Sequence, residues 1–537
     1  MSAGAAVPPA AAGDDHHADG PYGPGGPGGP GDPDTATVVG WRRLDRRTVL
    51  VNALVVAGVA AGAAVPTTLG LSGRFGFATA IAWVLAGSVL LIVCAAAGDY
   101  VRWRRTRYRI GPERVDLHTG LFLVKKRSLA RERIRSVDLT AHPLQRVLGL
   151  VTVRIGTGEH SGGDSTLELD PVSGAEGERL RRELLARAAT DGPGTHREGE
   201  LVALDPRWIR YAPVSFVAPA LGGAAAGAVM QVSEWFGAQG RVIAWVGDRF
   251  RDTSLPAMIV VLVLGAVVVG AVGALGLWIE MWWGYRLERE PGGTLRIRRG
   301  LLTSRSISIE ERRLRGVDLV EPLGVRMCGA ARVDAITTGL AKDDEEQHSD
   351  HNTLLPPAPR SLADTVAAEV LRETTSPTGA PLVRHPAAAR GRRLRRALWA
   401  VFVPVAVLAL LGALLTPVLL WIALACAVLG LPVGLLLARD AYRGLGHAVS
   451  GDYLVVRSGT VRRSTAALER AGVIGWTIRQ TYFQRRAGVL SVTATTAAGS
   501  GAYTAHDVDP SEGLDFAAGA VPGLLEPFLE RTPPTTG

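Results

Sequence analysis

Six apolar stretches alternate with polar regions along the chain, and each is close to the ~20 residues that a helix needs to cross the hydrocarbon core of a bilayer. They occupy residues 48–65, 77–97, 212–232, 255–279, 397–415 and 418–437. The stretches form three pairs, and few residues separate the two members of the first and third pairs. Residues 66–76, with Pro66 and Gly76 at their ends, are predicted to form the first turn, and Thr416-Pro417 the third. The pattern predicts six transmembrane helices in three hairpins.

A polar region of about 90 residues follows each hairpin and has the pattern of short strands. In the first region, β-rich runs lie at 107–110, 114–118, 121–124, 135–139 and 151–155, separated by Gly and Pro turn signals. Similar runs recur in the other two regions. Each region then reaches a proline followed by a helical stretch, at 175–189, 361–373 and 511–520. This order predicts three small β-sandwich or barrel domains, each capped by a C-terminal helix.

The three polar regions share a spaced signature, which indicates an internal repeat. A Val or Trp is followed by Arg nine residues later and by Gly three residues after that. The copies are Val137/Arg146/Gly149, Val317/Arg326/Gly329 and Trp476/Arg485/Gly488. The repeating unit is therefore predicted to be one membrane hairpin with one polar domain. The repeated Gly is predicted to be structural, because Gly tolerates positive φ and close backbone approach.

These patterns divide the chain into ten segments of a mixed membrane and β-domain fold. The hairpins are 41–98, 207–280 and 397–440, and the polar domains are 99–190, 281–375 and 441–529. Residues 191–206 form a linker and 376–396 a basic linker. The Pro/Gly-rich tail 1–40 and the tail 530–537 have too few apolar residues to bury and are predicted to be disordered.

The net charge of +9 comes from Lys and Arg residues that crowd at the ends of the apolar stretches. Hairpins of two spans place every polar domain on one side of the membrane. The connections on the other side contain Arg74 in the first hairpin, three arginines in the second and none in the third. The positive-inside rule then predicts a multi-pass protein of the cell membrane with a cytoplasmic N-terminus and cytoplasmic domains. Added binding of anionic lipids by the same arginines stays open, whereas a nucleic-acid partner is not expected.

The residues that could do chemistry do not form a catalytic or metal-binding pattern. Cys94, Cys328 and Cys426 lack CxxC spacing, and no hydrolase, metalloprotease or phosphate-loop motif occurs. An acidic loop comprises Asp343, Asp344, Glu345, Glu346, His348, Asp350 and His351. A metal site needs ligands held by a rigid frame, so a solvated loop is favoured. The expectation is a protein that is not an enzyme and holds no cofactor or metal.

Two arginine clusters are the candidate surface for anionic lipids or a protein partner. They consist of Arg131, Arg133 and Arg135 in the first domain, and Arg312, Arg313 and Arg315 in the second. In a strand, Arg133 and Arg135 would project from the same face. A solvated strand face is the equally open alternative.

The repeated Arg146, Arg326 and Arg485 also allow two interpretations: a ring facing lipid headgroups, or pairs with carboxylates such as Asp138 and Asp318, which is favoured. The third domain replaces the arginine cluster with Trp476, Tyr482 and Phe483. These aromatic residues favour packing or protein contact there.

Three segments of the first domain resemble the bacterial PH-like domain of YdbS/YdbT-type membrane proteins. They are 108–121, 128–138 (SLARERIRSVD) and 143–150 (PLQRVLGL). The second domain resembles it through 306–318 (SISIEERRLRGVD) and 322–330 (PLGVRMCGA). The third is similar through 484–488 (QRRAG) but keeps only Arg470 of the arginine cluster. The resemblance implies three tandem PH-like domains in a multi-span membrane protein, with no catalytic residues to carry over.

The expected function is a binding or assembly platform at the cytoplasmic membrane, in envelope maintenance. The alternative is a lipid or amphiphile transport factor in which the hairpins form a conduit. Membrane lipids and other membrane or cytosolic proteins are the expected partners.

Overall fold

The computed structural model describes residues 40–120, 125–134, 136–156, 166–185, 199–215, 217–338 and 352–528. The predicted disordered tails fall outside these residues except for Gly40, and so does the acidic loop at 343–351. The strand predicted at 121–124 is likewise outside the described part of the chain.

Six long helices form three helical hairpins. Their helices are α1 Arg47–Phe75 and α2 Phe77–Arg105, α5 Val217–Trp235 and α7 Leu255–Trp282, and α10 Ala387–Leu414 and α11 Pro417–Arg443. Helix α6, Gln239–Arg249, lies between α5 and α7. Five helices are long and apolar enough to cross a membrane, and α5 is not among them. Its 19 residues are rich in Gly and Ala and include Gln231 and Glu234, which lowers its mean hydropathy.

The predicted first turn is wrong, because α1 continues through Pro66 and ends at Phe75. The chain reverses at Gly76 alone, with φ of 77°. The hydroxyls of Thr67 and Thr68 donate to the carbonyls of Ala63 and Ala64, each at 2.7 Å. A proline inside an apolar helix is tolerated where neighbouring groups compensate for the lost backbone hydrogen bond, so Pro66 does not end the helix.

Each polar domain contributes strands to two antiparallel sheets, and neighbouring domains share a sheet. The first domain has β2 Arg107–Ile110, β3 Arg114–Thr119, β4 Lys125–Ala130, β5 Ser136–Ala141, β6 Leu150–Gly156 and β7 Thr166–Ser173, preceded by β1 Arg42–Arg43. The second has β8 Gly199–Ala203, β9 Arg286–Glu290, β10 Thr294–Arg299, β11 Ser304–Glu310, β12 Leu314–Pro322, β13 Ala330–Thr337 and β14 Thr353–Pro359. The third has β15 Gly446–Ser450, β16 Tyr453–Ser458, β17 Arg462–Glu469, β18 Val473–Arg479, β19 Leu490–Thr496 and β20 Ala502–Val508.

Two kinds of helix accompany the strands of each domain. Short helices follow β5, β12 and β18: α3 Pro143–Val147, α8 Leu323–Met327 and α12 Tyr482–Arg486. Longer helices follow the last strands: α4 Gly174–Leu185, α9 Arg360–Leu371 and α13 Pro510–Ala520. Helix α4 packs on β5, β6 and β7, where Leu180 and Leu184 join the buried core. The apolar side of α4 is thus removed from water.

The residues just before and just after each helical hairpin pair with each other. Strand β1 pairs with β2 on either side of the first hairpin, with Arg42 opposite Tyr108. Strand β8 pairs with β9 on either side of the second. Val383 forms a bridge with His447 across the third. The two ends of each hairpin therefore lie side by side.

The three domains are joined by strand pairing between them. A seven-stranded sheet has the order β7-β6-β5-β11-β10-β9-β8, and a six-stranded sheet has the order β14-β13-β12-β17-β16-β15. We call the β5–β11 pairing seam 1 and the β12–β17 pairing seam 2. Seam 1 aligns three residue pairs and seam 2 aligns seven. Strands β4 and β18 remain at the edges of the other two sheets.

The two seams have the same register. Leu139 lies opposite Ser306 in seam 1, and Leu319 lies opposite Thr465 in seam 2. Both leucines come two residues after the signature Val of their domain, and Ser306 and Thr465 both come eleven residues before the signature residue of theirs. The repeat is therefore a repeat of inter-domain contacts as well as of domains.

Candidate functional site

The repeated arginines connect each domain to the next one. Arg146, on α3, donates to the carbonyl of Leu301, in the turn between β10 and β11 of the second domain. Arg326, on α8, donates to the carbonyl of Thr460 at 3.3 Å and pairs with Asp440 at 2.8 Å. Leu301 and Thr460 occupy equivalent positions, sixteen residues before the signature residue of their domains. These arginines thus hold the end of each seam.

The carboxylates predicted as partners of these arginines have another role. Asp318 accepts a hydrogen bond from the Ser464 hydroxyl across seam 2 at 2.6 Å. Asp138 accepts a long hydrogen bond from the Ser308 amide across seam 1 at 3.4 Å. The aspartates therefore contact the neighbouring domain directly, without the arginines.

Arg485, the third repeated arginine, lies on α12 and is exposed. No hydrogen bond or ion pair of its side chain is formed within the described part of the chain. Among the described residues, α12 has no counterpart of the turn that Arg146 and Arg326 bind.

The three signature glycines adopt the left-handed conformation at the ends of the short helices. Their φ angles are 69° at Gly149, 68° at Gly329 and 64° at Gly488. The amide of each donates to the carbonyl of its signature arginine, at 3.1, 2.9 and 3.2 Å. Gly is favoured there because a Cβ makes this conformation costly.

The first arginine cluster does not form the predicted strand face. Arg131 and Arg133 belong to a 3-10 turn that precedes β5, and β5 begins only at Ser136. Arg131 donates to the carbonyls of Glu183 at 2.7 Å and Gly111 at 3.3 Å. Arg135 lies outside the described residues. Arg131 and Arg133 are therefore not part of the strand that follows them.

The second cluster is engaged in ion pairs, and two of its members cross a seam. Arg312 and Arg313 pair with Glu310 at 2.9 and 2.8 Å. Arg313 also donates to the carbonyl of Ile134 in the first domain at 3.2 Å. Arg315 pairs with Glu469 in the third domain at 2.7 Å. Only Arg312 keeps most of its side chain exposed, at 62%.

A cluster of four charged side chains, two buried arginines and two half-buried glutamates, spans seam 1. Arg181, on α4, pairs with Glu290 on β9 at 2.8 Å and with Glu178 on its own helix at 2.9 Å. Arg296, on β10, pairs with the same two carboxylates at 2.9 and 3.0 Å. Burial alone would raise the pKa of Glu178, but hydrogen bonds from Arg181 and Arg296 outweigh it and lower that pKa to about 2.

The sequence contains no signal for this cluster. Glu178 and Arg181 have the spacing of an ordinary surface pair on a helix. Their partners Glu290 and Arg296 lie more than one hundred residues away and approach only because seam 1 forms.

The seam aspartates are poorly solvated, and their acidity changes accordingly. Burial in the seam raises the pKa of Asp138 to about 7, and the hydrogen bond from Ser308 only partly opposes it. Burial also raises the pKa of Asp318 to about 6, although the Ser464 hydroxyl stabilises its charged form. Both carboxyls therefore favour the protonated state more than an exposed aspartate does.

Replacing Asp138 with Asn is expected to flatten the pH dependence of stability between pH 6 and 8. A raised carboxyl pKa means that the folded state binds the proton more tightly, so stability falls as pH rises through 7. The expected loss in the native protein is about 1 kcal/mol from this group over that range. Thermal unfolding of the native protein and Asp138→Asn at pH 6, 7 and 8 measures it. Equal pH dependence in the two proteins would contradict the assignment.

The buried His447 contributes mainly at lower pH. Burial lowers its pKa to about 4, so its contribution makes stability rise with pH, mainly below pH 6.

The third domain exposes aromatic rings beside its open edge. Tyr482 and Phe483, on α12, are 68% and 70% exposed, and their ring centroids are 5.6 Å apart. Trp476, on β18, packs edge-on against Phe516 with centroids 6.2 Å apart. Trp476 thus contributes to the domain core, whereas Tyr482 and Phe483 face outwards.

Comparisons with known proteins agree with the repeat. The family profile described as Bacterial PH domain matches residues 53–188, 240–374 and 401–517. UPF0699 transmembrane protein YdbT of Bacillus subtilis (strain 168) is 23% identical over 436 residues, which cover 76% of this chain and 83% of the relative. No solved structure is significantly similar to the chain. Each profile match includes part of a hairpin with its domain, so the family unit coincides with the repeat. The chain is a membrane protein with three copies of this unit, and it belongs to the bacterial PH domain family.

Proposed function

We propose that the protein crosses the cytoplasmic membrane six times and that its three PH-like domains, each closed by its C-terminal helix, form one assembly platform on the cytoplasmic side. The single observation that carries this proposal is the pairing of β5 with β11 and of β12 with β17. Strand pairing across both seams requires all three domains to share one side of the membrane. The segment between two domains must then cross the membrane an even number of times.

This requirement favours α5 as a sixth span despite its modest hydropathy. Nineteen helical residues extend about 28 Å, close to the ~30 Å hydrocarbon thickness. Helix α5 also packs tightly on α7, since a Cβ at Gly222 would lie 2.0 Å from the Ala266 carbonyl oxygen. A Cβ at Gly270 would lie 1.9 Å from that of Ala218. Small residues at a helix contact are typical of membrane bundles.

The arginines at the domain ends of the helices support the cytoplasmic side. Helix α2 ends with Arg102, Arg104 and Arg105, and α10 begins with a basic run that contains Arg392. On the far side, the third hairpin turns at Thr416 without a charged residue. This asymmetry supports a cytoplasmic platform.

A platform for proteins accounts for how the arginines are used. Four of the arginines of the two clusters, Arg131, Arg312, Arg313 and Arg315, bind carbonyls or carboxylates of the chain itself. These contacts stabilise the arrangement of the domains and leave less positive charge for lipid headgroups. Rigid positioning of three domains suits the binding of other proteins, in envelope maintenance or a related process.

Photocrosslinking in native membranes tests this function. A photoreactive amino acid is placed singly at Val147 and Met327, which are 84% and 80% exposed, and at Tyr482. Leu264 in α7, 62% exposed towards the membrane, serves as the lipid-facing control. Protein adducts are expected from the domain positions and lipid adducts from the control. Lipid adducts alone at all three domain positions would contradict the platform.

A lipid-transfer assay on the purified full chain addresses the transport alternative. In liposomes, the protein is expected to leave a labelled lipid in its original leaflet at the rate of protein-free liposomes. Faster movement between leaflets would replace the platform by a transport function.

A further inference from the structure

Strand β18 is an open sheet edge at a position that both other domains use for pairing. Its counterparts β5 and β12 each pair with a strand of the following domain, β11 and β17. Strands β4, β11 and β17 each come just before a 3-10 turn, and we call them the third strands of their domains. In the described residues, β18 pairs only with β19. Ile474 and Ile478 on this edge are 65% and 41% exposed. An exposed, partly apolar edge strand is a template for another strand.

Gly475 is the third-domain counterpart of Gly316, where seam 2 leaves no room for a side chain. Its counterpart Gly316 also comes just before the signature residue, and a Cβ there would lie 1.9 Å from the Ala467 carbonyl oxygen of β17. At Gly475, nothing lies within 4 Å of a Cβ. The close approach that Gly316 allows is thus available at Gly475, and no described residue uses it.

Arg485 provides the second element of the same contact. Arg146 and Arg326 hold the turn before the third strand of the next domain, and Arg485 has the equivalent place on α12. Strand β18 and α12 therefore correspond to the side of a seam that β5 and α3 form in the first domain and β12 and α8 form in the second. We call the surface formed by Ile474, Gly475, Ile478, Arg479 and Arg485 the open seam.

The charge of the open seam argues against a second copy of this chain as its occupant. Residues 473–486 contain three arginines and no Asp or Glu, whereas the equivalent residues 314–327 contain two arginines, Asp318 and Glu321. The other open edge, β4, begins with Lys125 and Lys126. In the register that both seams share, Lys125 would lie opposite Arg479, where like charges are destabilising.

We propose that the open seam binds, by strand addition, the third-strand edge of a PH-like module on another polypeptide, one with carboxylates at the positions of Lys125 and Lys126. Main-chain hydrogen bonds supply affinity in such strand addition, and side chains along the edge supply specificity. A carboxylate opposite Arg479 favours this partner, while Lys125 of β4 disfavours self-assembly. The inference rests on the platform function and specifies its partner class and docking site.

A purified probe tests directly whether carboxylates on the partner strand favour binding. The probe is the full chain with Lys125→Glu and Lys126→Glu, both exposed positions, and with Gly475→Ala to block its own open seam. It is reconstituted in the same liposomes as a differently tagged native chain, and the bound fraction is measured. The probe is expected to bind the native chain at least tenfold more tightly than a copy that retains the two lysines. Equal binding of the lysine copy would identify a second copy as the occupant and overturn the proposal.

Two variants of the native chain show where the probe binds. Gly475→Ala is expected to weaken probe binding at least tenfold without changing thermal unfolding, because its Cβ would meet only the backbone of the probe. Gly519→Ala on α13 is the control, since a Cβ there also has nothing within 4 Å and lies outside the open seam. Unchanged binding by Gly475→Ala would overturn the proposal.

Native membranes separate this inference from the platform function. A photoreactive amino acid at Ile478 is expected to capture a peptide from the third strand of another PH-like domain. Protein adducts at Val147 and Met327 without probe binding would remove the open-seam partner and leave the platform. The absence of both the protein adducts and probe binding would contradict both proposals.

Discussion

Replacing Arg181 with Met is expected to destabilise the protein by about 3 kcal/mol, because it leaves Glu178 and Glu290 short of a buried partner. The side chain of Arg181 is only 3% exposed and pairs with both carboxylates. Arg296 would still bind them, but one guanidinium would face two partly buried negative charges. The loss should open seam 1 before the rest of the first domain unfolds.

Thermal unfolding in detergent, with hydrogen exchange at β11, measures this effect. Arg182→Met is the matched control, since Arg182 is the exposed neighbour of Arg181 on α4. Adding Glu290→Gln to Arg181→Met should recover part of the stability, because it removes one of the uncompensated charges. If Arg181→Met and Arg182→Met unfold alike, the charged cluster does not stabilise seam 1.

Replacing Gly316 with Ala is expected to break seam 2 and cost about 2–3 kcal/mol. A Cβ at this residue would lie 1.9 Å from the carbonyl oxygen of Ala467, which is part of the backbone of β17 and cannot rotate away. The φ angle of 154° adds strain for any residue other than Gly. Strand β17 should therefore separate from β12 while the third domain keeps its own core.

The equivalent substitution Gly475→Ala is the control for this experiment, because nothing lies within 4 Å of a Cβ at Gly475. Hydrogen exchange should accelerate at the β17 amides in Gly316→Ala and stay at the native rate in Gly475→Ala. Native exchange rates at β17 in both variants would show that seam 2 does not depend on this close approach.

The sequence predicts the membrane hairpins and the repeat because both depend on local patterns. Five of the apolar stretches become helices long and apolar enough to span a membrane, and the spacing of Arg146 and Gly149 recurs in three similar short helices. Strand β4 was missed because its Lys-Lys-Arg-Ser sequence lacks the apolar alternation of a half-buried strand. The turn at Pro66 was misplaced because Pro ends helices in water more readily than in a membrane hairpin.

The seams themselves could not be predicted from local patterns. Pairing Leu139 with Ser306 joins residues that are far apart in sequence, and alternation within a strand does not identify its partner. Charge usually marks exposure, so the sequence indicates the arginine clusters as a candidate surface for anionic lipids or a protein partner, or as a solvated strand face. The structure instead uses Arg313 and Arg315 across the seams, where carbonyls and carboxylates of neighbouring domains replace water.

We propose that the three domains share one side of the membrane, and labelling of single cysteines tests this arrangement most directly. In a chain without native cysteines, single cysteines are placed at Val147, Cys328, Asp452 and Gly247, which are all exposed; Gly247 lies on α6, between the spans of the second hairpin. A membrane-impermeant maleimide is applied to sealed vesicles of either orientation. We expect the three domain positions to react only where the cytoplasmic face is outside, and Gly247→Cys only in the opposite orientation. Reaction of any two domain positions from opposite sides would contradict it.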